Sequence, residues 1–338
     1  MSRAIERMWA RDGAGALLLS PLSWLFGAAS GIRNFCYDRG LFRTAGVGAP
    51  VVSVGNLSVG GTGKTPVSAW VAAELQAMGA KPAIVMRGYG GDERHVHARV
   101  NPTVPVVVNP DRVAGAESAL VDGADIIVLD DAFQHRRMRR DLDLVLVAAE
   151  QGSAHRLLPA GPLRESRLAL RRAQLLVVTR KSASLAEAEA TAASWTAFAG
   201  APASCVIALK PGPLRPADPS DRRDALGLGA LRGSRVLAIS AIGAPWAFEA
   251  QLKERGATVE GAQYPDHHAF SDTDIAVLAT RAAAADLTVC TLKDAVKLGT
   301  RWPRQAPPLW YLSQVVEVER GAPVMREALH RLVSARTS

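Results

Sequence analysis

At 338 residues, 48% hydrophobic and 21% charged, the chain is long enough for two domains and too apolar to be disordered. Its formal net charge of +8 favours anionic partners (nucleic acid, a phosphorylated metabolite or an acidic membrane surface) without choosing among them. Three cysteines, Cys36, Cys205 and Cys290, lie far apart with no C-x-x-C pair, which argues against a disulfide framework or a zinc site.

The first element is the apolar stretch "GAGALLLSPLSWLFGAAS", flanked by Arg3, Arg7, Arg11 and Arg33. Leu18, Leu22, Leu25, Phe26, Ala29 and Ile32 share one helical face, with Ser23, Ser30 and Arg33 off it. The favoured expectation is an amphipathic helix or helical pair on a membrane surface. An ordinary buried helix and a signal or spanning segment are the alternatives, the last weakened by Pro21 and several glycines.

"PVVSVGN" then reads as a buried strand and Lys64–Met78 as a helix closed by Gly79. "PAIVM" and "VPVVV" are strands, and "DRVAGAESALVDG" is a helix with Asp111 near its start. "DIIVLDD", "DLVLVAA" and "QLLVVTR" are near-continuously apolar, as strands covered on both faces should be. "AEAEATAA" is an exposed helix, and the Pro/Gly/Arg-rich run from Leu209 to Ser234 resembles a linker. Alternation restarts with strand "RVLAIS", helix "PWAFEAQLKERG", helix "DIAVLATRAAAA", strand "LTVCTLKD", strands "LWYL" and "VVEVE", and a terminal helix from about Pro323. The expected fold class is α/β: a P-loop NTPase-type parallel sheet domain over 46–215, a second, smaller α/β domain over 216–338, and an N-terminal segment over 1–45.

The chemistry begins at "SVGNLSVGGTGKTP". The loop Ser58, Val59, Gly60, Gly61, Thr62, Gly63, Lys64, Thr65 matches G-x-x-x-x-G-K-[ST] except that Ser58 replaces the first glycine. Glycines at 60, 61 and 63 let backbone N–H groups point inward, and a helix N-terminus follows. Lys64 then reaches the outer phosphates and Thr65 binds Mg²⁺. A small Ser58 can replace the glycine if its φ stays negative. "DIIVLDDAFQH" supplies a strand ending in Asp130 and Asp131, adjacent carboxylates that suit a Mg²⁺ ion beside nucleotide phosphates.

Three further clusters suggest transfer to an acceptor. "RGYGGDE" places Arg87, Tyr89, Asp92 and Glu93 after a strand, where open α/β sheets bind ligands. "LLPAGPLRES" offers Arg164 and Glu165 to clamp an anionic substrate, or is a plain surface loop. "YPDHHAF" places Asp266, His267 and His268 ahead of a helix, as metal ligands, as active-site residues or as helix-start residues.

Together "SVGNLSVGGTGKTP", "RGYGG", "GDE", "DDAFQHRRMRRDLDLVLV", "RLLPAGPLRE", "YPDHHAF" and "KDAVKL" resemble the tetraacyldisaccharide 4′-kinases of lipid A synthesis, in order, over roughly residues 15 to 300. A loop without its first glycine is typical of that family, as is a membrane-associating helix before the first strand. Ala132 stands where the family usually has glycine, and Leu292 where it usually has glutamate. The resemblance implies a P-loop domain joined to a smaller α/β domain with the active site between. It implies ATP-dependent phosphorylation of the 4′-hydroxyl of an acylated glucosamine disaccharide 1-phosphate, at the cytoplasmic face of the inner membrane. No nucleic acid and no obligate protein partner is inferred.

On that basis Lys64 meets the β/γ-phosphates, and Thr65 with Asp130 or Asp131 holds Mg²⁺. Asp92 orients and deprotonates the sugar hydroxyl, and His267, reaching over from the second domain, tunes it as a dyad. Arg87 and Arg164, with Glu165, serve the substrate. The rival readings are a P-loop GTPase or metal-delivery switch, for which an N-K-x-D motif is missing, and an ATP-dependent ligase.

Overall fold

The computed structural model describes residues 9, 14–88, 91–151, 156–199 and 203–337. Tyr89 and the arginines at 3, 7 and 11 fall outside the described residues. The chain divides into two compact units. The larger contains the described residues up to 88, then 101–209 and 316–337; the smaller contains 91–100 and 210–315. The sheet strands are mostly parallel and alternate with helices, as the apolar runs lead one to expect.

In the larger unit, β1 (Val51–Asn56), β2 (Pro82–Met86), β3 (Val106–Val108), β4 (Ile126–Asp130), β5 (Leu142–Ala148), β6 (Leu175–Arg180) and the start of β7 (Ala203–Pro216) are ordered β3-β2-β4-β1-β5-β6-β7. β1 is central and pairs in parallel with β4 (Val52 with Val128) and β5 (Val54 with Leu144). Every residue of β1, β2, β4 and β5 is buried, because alternate side chains enter cores on opposite faces. Val52, Val54, Ile84 and Val128 pack with Val67, Val71 and Leu75 of α3 (Lys64–Ala77) and with Met325 and Leu329 of α10 (Ala322–Ser334). Val51, Val85, Ile127 and Leu129 pack with Val113, Ala116 and Ala119 of α5 (Arg112–Val121). The Asp111 carboxylate caps α5 by accepting from the N–H groups of Val113 and Ala114. Helix α6 (Leu185–Ala199) is exposed only on one side; Ala188, Ala192 and Trp195 are buried.

The N-terminal segment forms α1 (Ala14–Leu18) and α2 (Ser20–Asp38). Pro21 lies in the first turn of α2, where no intrahelical N–H is required, so it does not weaken the helix. Two of the polar residues read as off the apolar face dock: Ser23 is buried, its hydroxyl donating to the Leu157 carbonyl, and Arg33 donates to Glu165, while Ser30 bonds within its own helix. Leu18, Leu22, Trp24, Leu25 and Ile32 face outward, Leu18 at 79% and Trp24 at 74% exposure. The buried-helix alternative therefore does not hold. Among the described residues, no helix is long and apolar enough to cross a membrane.

In the smaller unit the order is β7-β11-β10-β8-β9, with β8 (Arg235–Ser240), β9 (Thr258–Gln263), β10 (Leu287–Cys290) and the first part of β11 (Leu309–Arg320). Helices α7 (Pro245–Lys253), α8 (Asp272–Ala282) and α9 (Leu292–Leu298) cover it through Phe248, Leu252, Ile275, Leu278 and Ala295. Sequence reading misses β9 and α9 here, and three further features. The linker-like run opens as strand β7, "LWYL" and "VVEVE" are one strand, and "DERHVHARV" forms α4 (Asp92–Val100) inside the smaller unit. The division thus differs from a single cut at 215/216: α4 lies with the later residues, and α10 with the earlier ones.

Candidate active site: a glycine loop and an aspartate–histidine pair

β1 delivers the chain to the glycine loop, and α3 leaves it at Lys64. Gly60 and Gly63 adopt φ of 110° and 83°, values that L side chains resist. Ser58 keeps a negative φ; Asp131 and His267 are the only non-glycine residues with positive φ among the described residues. The Ser58 hydroxyl donates to Gln151 Oε1 at 2.6 Å, and the residue forms an antiparallel bridge with Leu163. Val59 N–H donates to the Pro162 carbonyl, and its own carbonyl accepts from Gln151 Nε2. Thr62 is fully buried; its hydroxyl accepts from Asn56 Nδ2 at 2.8 Å and its carbonyl from Thr179 Oγ1 at 2.9 Å. These three residues hold the loop from behind rather than offering side chains to a ligand. The missing first glycine has a physical reason: position 58 belongs to a side-chain-anchored bridge, not to a left-handed turn.

Lys181 Nζ donates to the Gly61 carbonyl at 2.8 Å. Its own segment is held by Glu150, which accepts from the N–H groups of Lys181, Ser182 and Ala183. Burial pushes the Glu150 carboxyl up, but these N–H groups outweigh it and bring the acid below its ordinary range.

The two carboxylates at the end of β4 differ. Asp130 is buried and accepts from Ser68 Oγ of α3 at 3.0 Å. Asp131 has a φ of 51° and a side chain 39% exposed. Its Oδ1 accepts from Arg164 at 2.8 Å and lies 3.8 Å from Lys64 Nζ. Thr65 follows Lys64 as the second, half-buried residue of α3. Lys64, Asp131 and Arg164 thus converge in front of a helix N-terminus, an arrangement suited to anionic phosphate. Arg87 is exposed at the C-terminal end of β2.

Glu165 is a correction. Sequence reading places it at the substrate, but it is 1% exposed and fully engaged. Arg172 donates to it at 2.8 Å, Asn34 at 2.8 Å and Arg33 at 3.3 Å. It ties α2 to the loop after β5. The phrase "FQHRRMRRDLD" is likewise mostly architecture: Phe133 packs where a side chain on Gly55 would stand, and Gln134 Nε2 donates to the Asn56 carbonyl at 2.8 Å. Arg140 pairs with Asp143 at 3.1 Å with both side chains buried. Burial, with Arg112 and Arg140 nearby, depresses the His135 pKa.

In the smaller unit, α4 opens with Asp92 and Glu93, carboxylates favoured at a helix N-terminus. His267 takes a φ of 60° and its N–H donates to the Ala241 carbonyl. Its Nδ1 lies 3.3 Å from Asp92 Oδ2 with the ring 47% exposed. The pair is made within one unit, because α4 packs on α9, and not across two domains as sequence position suggests. His268 turns to Asp274 instead, with Nε2 3.0 Å from Oδ2, and stacks on Tyr264. Lys297, given no role from sequence, places Nζ 2.9 Å from Asp92 Oδ2.

A family model described as tetraacyldisaccharide-1-P 4′-kinase matches residues 15–103 and 91–334. The chain belongs to the tetraacyldisaccharide 4′-kinase family. Membership makes it a kinase, an ATP-binding protein and a participant in lipid A synthesis. The tetraacyldisaccharide 4′-kinase of Anaeromyxobacter sp. (strain Fw109-5) is 40% identical over 330 residues, covering 87% of each chain. That of Halorhodospira halophila (strain DSM 244 / SL1) is 38% identical, covering 94% of this chain and 93% of its own. The crystal structure of LpxK from Aquifex aeolicus in complex with ATP aligns with a TM-score of 0.74 at 28% identity, covering 94% of this chain and 99% of that one. Lys64, Asp131 and Arg164 lie together in the larger unit, and Asp92 and His267 in the smaller.

Proposed function

We propose that the protein transfers the γ-phosphoryl group of ATP to the 4′-hydroxyl of an acylated glucosamine disaccharide 1-phosphate, giving the bis-phosphorylated lipid A precursor. The observation that carries this is the convergence of Lys64 and Arg164 on Asp131 beside the glycine loop. The loop is a P-loop: its glycines admit the phosphates, Lys64 meets the β- and γ-phosphates, and Arg164 neutralises charge on the transferring group. Asp92 accepts the proton of the attacking hydroxyl and His267 orients it. Arg87 is a contact for the substrate's own phosphate.

Mg²⁺ fits the residues present. Among the described residues no group of three His, Cys, Asp or Glu could hold a metal unaided. Mg²⁺ characteristically binds one or two carboxylates with the substrate's phosphates supplying the rest. Asp131, partly exposed, and Thr65 are the ligands of this reading; Asp130, occupied by Ser68, backs them. When bound, the ion neutralises β- and γ-phosphate charge.

The outward face of α2 seats the enzyme on the inner membrane's cytoplasmic face, where an acylated acceptor resides. Incubation with γ-labelled ATP, Mg²⁺ and acyl-disaccharide phosphate should place label in the organic phase. Label released only as inorganic phosphate, whatever lipid is supplied, would overturn the reading.

A further inference from the structure

Among the described residues the Asp92 carboxylate has two cationic or imidazole neighbours, and both meet the same oxygen. His267 Nδ1 is 3.3 Å and Lys297 Nζ 2.9 Å from Oδ2. Oδ1 takes neither. Lys297 has a second bond: Nζ donates to the His268 carbonyl at 3.3 Å. One ammonium therefore joins the first turn of α4 to the loop that holds His267 in its left-handed conformation.

The element carrying Lys297 is anchored at its other end. Thr291 caps α9 by accepting from Asp294 N–H. The Asp294 carboxylate, fully buried, accepts from the Ala241 N–H at 3.1 Å and from Thr291 Oγ1 at 2.6 Å. The Ala241 carbonyl in turn accepts from His267 N–H. Two routes thus run from α9 to His267, one through Lys297 and His268, the other through Asp294 and Ala241.

We propose that Lys297 is a positioning residue for phosphoryl transfer: it fixes Asp92 through Oδ2, so that Oδ1 is the atom presented to the acceptor hydroxyl. This rests on the reading of Asp92 as base. In the step, the hydroxyl oxygen forms a bond to the γ-phosphorus of ATP and its proton passes to Oδ1. The bond from γ-phosphorus to the bridging oxygen breaks, and ADP leaves with that electron pair. A fixed cation on the opposite oxygen prevents the carboxylate from turning its occupied oxygen to the acceptor. Beside Asp92, α4 itself carries Glu93, Arg94, His95, His97 and Arg99; α9 carries Lys293, Asp294 and Lys297, and the loop carries Asp266, His267 and His268. Lys297 is the cation in direct contact with it.

The test compares Lys297→Met, Lys297→Gln and Lys297→Arg in the full chain, with Asp92→Asn as reference. Folding is followed by thermal melting. Met and Gln should lower kcat by about tenfold or more and leave KM for ATP near wild type. Gln can still donate to the His268 carbonyl, so it separates lost charge from lost tether if Met does not fold. Arg should restore most of kcat. A wild-type-like kcat in Gln, a loss carried by KM for ATP rather than kcat, or equal defects in Arg and Gln, overturns the role of Lys297. A wild-type-like Asp92→Asn instead overturns the base assignment beneath it.

Discussion

Arg164 and Lys64 share one oxygen of Asp131, at 2.8 Å and 3.8 Å, while neighbouring Asp130 faces the other way into Ser68. One carboxylate is therefore poised at the surface and the other is part of the packing. Asp131→Ala and Lys64→Ala should stay folded and each lose about a hundredfold or more in kcat, the scale of removing a charge-stabilising group. Asp130→Ala should in addition lose about 1–3 kcal/mol of stability, because the buried Ser68 hydroxyl is left without its acceptor. Urea denaturation beside the kinase assay separates them. Equal stability losses at 130 and 131 would contradict the division of roles.

Asp92 and His267 should behave as one unit. Their contact is direct, so removing either leaves the other without its function, and losses of cooperating residues are not additive. The expected double-mutant kcat for Asp92→Ala/His267→Ala is close to that of the worse single mutant. Fully multiplicative defects would show that the two act separately.

How much of this was legible in the sequence depends on the physical signal. Buried parallel strands announce themselves as apolar runs, and the glycine loop as a spacing; both are local. β9, "TVEGAQ", has little apolar character because most of its residues are exposed, so nothing in the run marks a strand. β7 is obscured by Pro211, Pro213 and Pro216, residues that usually mark loops. Helix α4 has few apolar residues and is held by packing on α9, a non-local cause. Asp92 and His267 are 175 positions apart, and only the family resemblance links them in sequence. Glu165 misleads for a different reason. A carboxylate beside an arginine in a Pro/Gly loop looks the same whether it meets substrate or Arg172.

That buried carboxylate gives a stability prediction. Glu165→Ala leaves Arg172 without its partner; burial is already the leading influence lowering the Arg172 pKa. Removing one member of a buried pair costs about 3–5 kcal/mol. The loss should be smaller in Glu165→Gln, which keeps an acceptor for Asn34 or Arg172. Denaturant midpoints decide it, and an Ala variant as stable as wild type would refute the tie.

Asp274 gives a pH prediction. The Ser271 backbone N–H and hydroxyl, then His268, lower its pKa from 3.8 to about 2. A depressed carboxylate stabilises the fold above its unfolded pKa, and this stabilisation is lost as pH falls from 3.8 towards about 2. The stability difference between wild type and Asp274→Asn should therefore be constant at neutral pH and shrink through that window. A difference that stays constant down to pH about 2 would contradict the linkage.

The outward face of α2 makes the membrane reading testable without truncation. Removing the segment would also remove Arg33, Asn34 and Ser23, which hold the loop beside Arg164, so a shortened chain confounds membrane binding with loop order. Point changes at the exposed positions avoid this. Leu18, Leu22 and Leu25 are all more than half exposed, so replacing them with aspartate removes little packing. Each leucine entering the acyl boundary would contribute about 1.5–3 kcal/mol when fully buried, and each aspartate opposes entry and repels anionic headgroups. The triple variant should keep wild-type melting and fail to float with anionic liposomes, while the unaltered chain floats and is partly released by high salt as its arginine–headgroup attraction is screened. Its activity should fall on acceptor presented in vesicles and recover on acceptor dispersed in detergent, where no surface need be found. A triple variant that floats like the parent, or loses activity equally in both presentations, would show that α2 does not seat the enzyme.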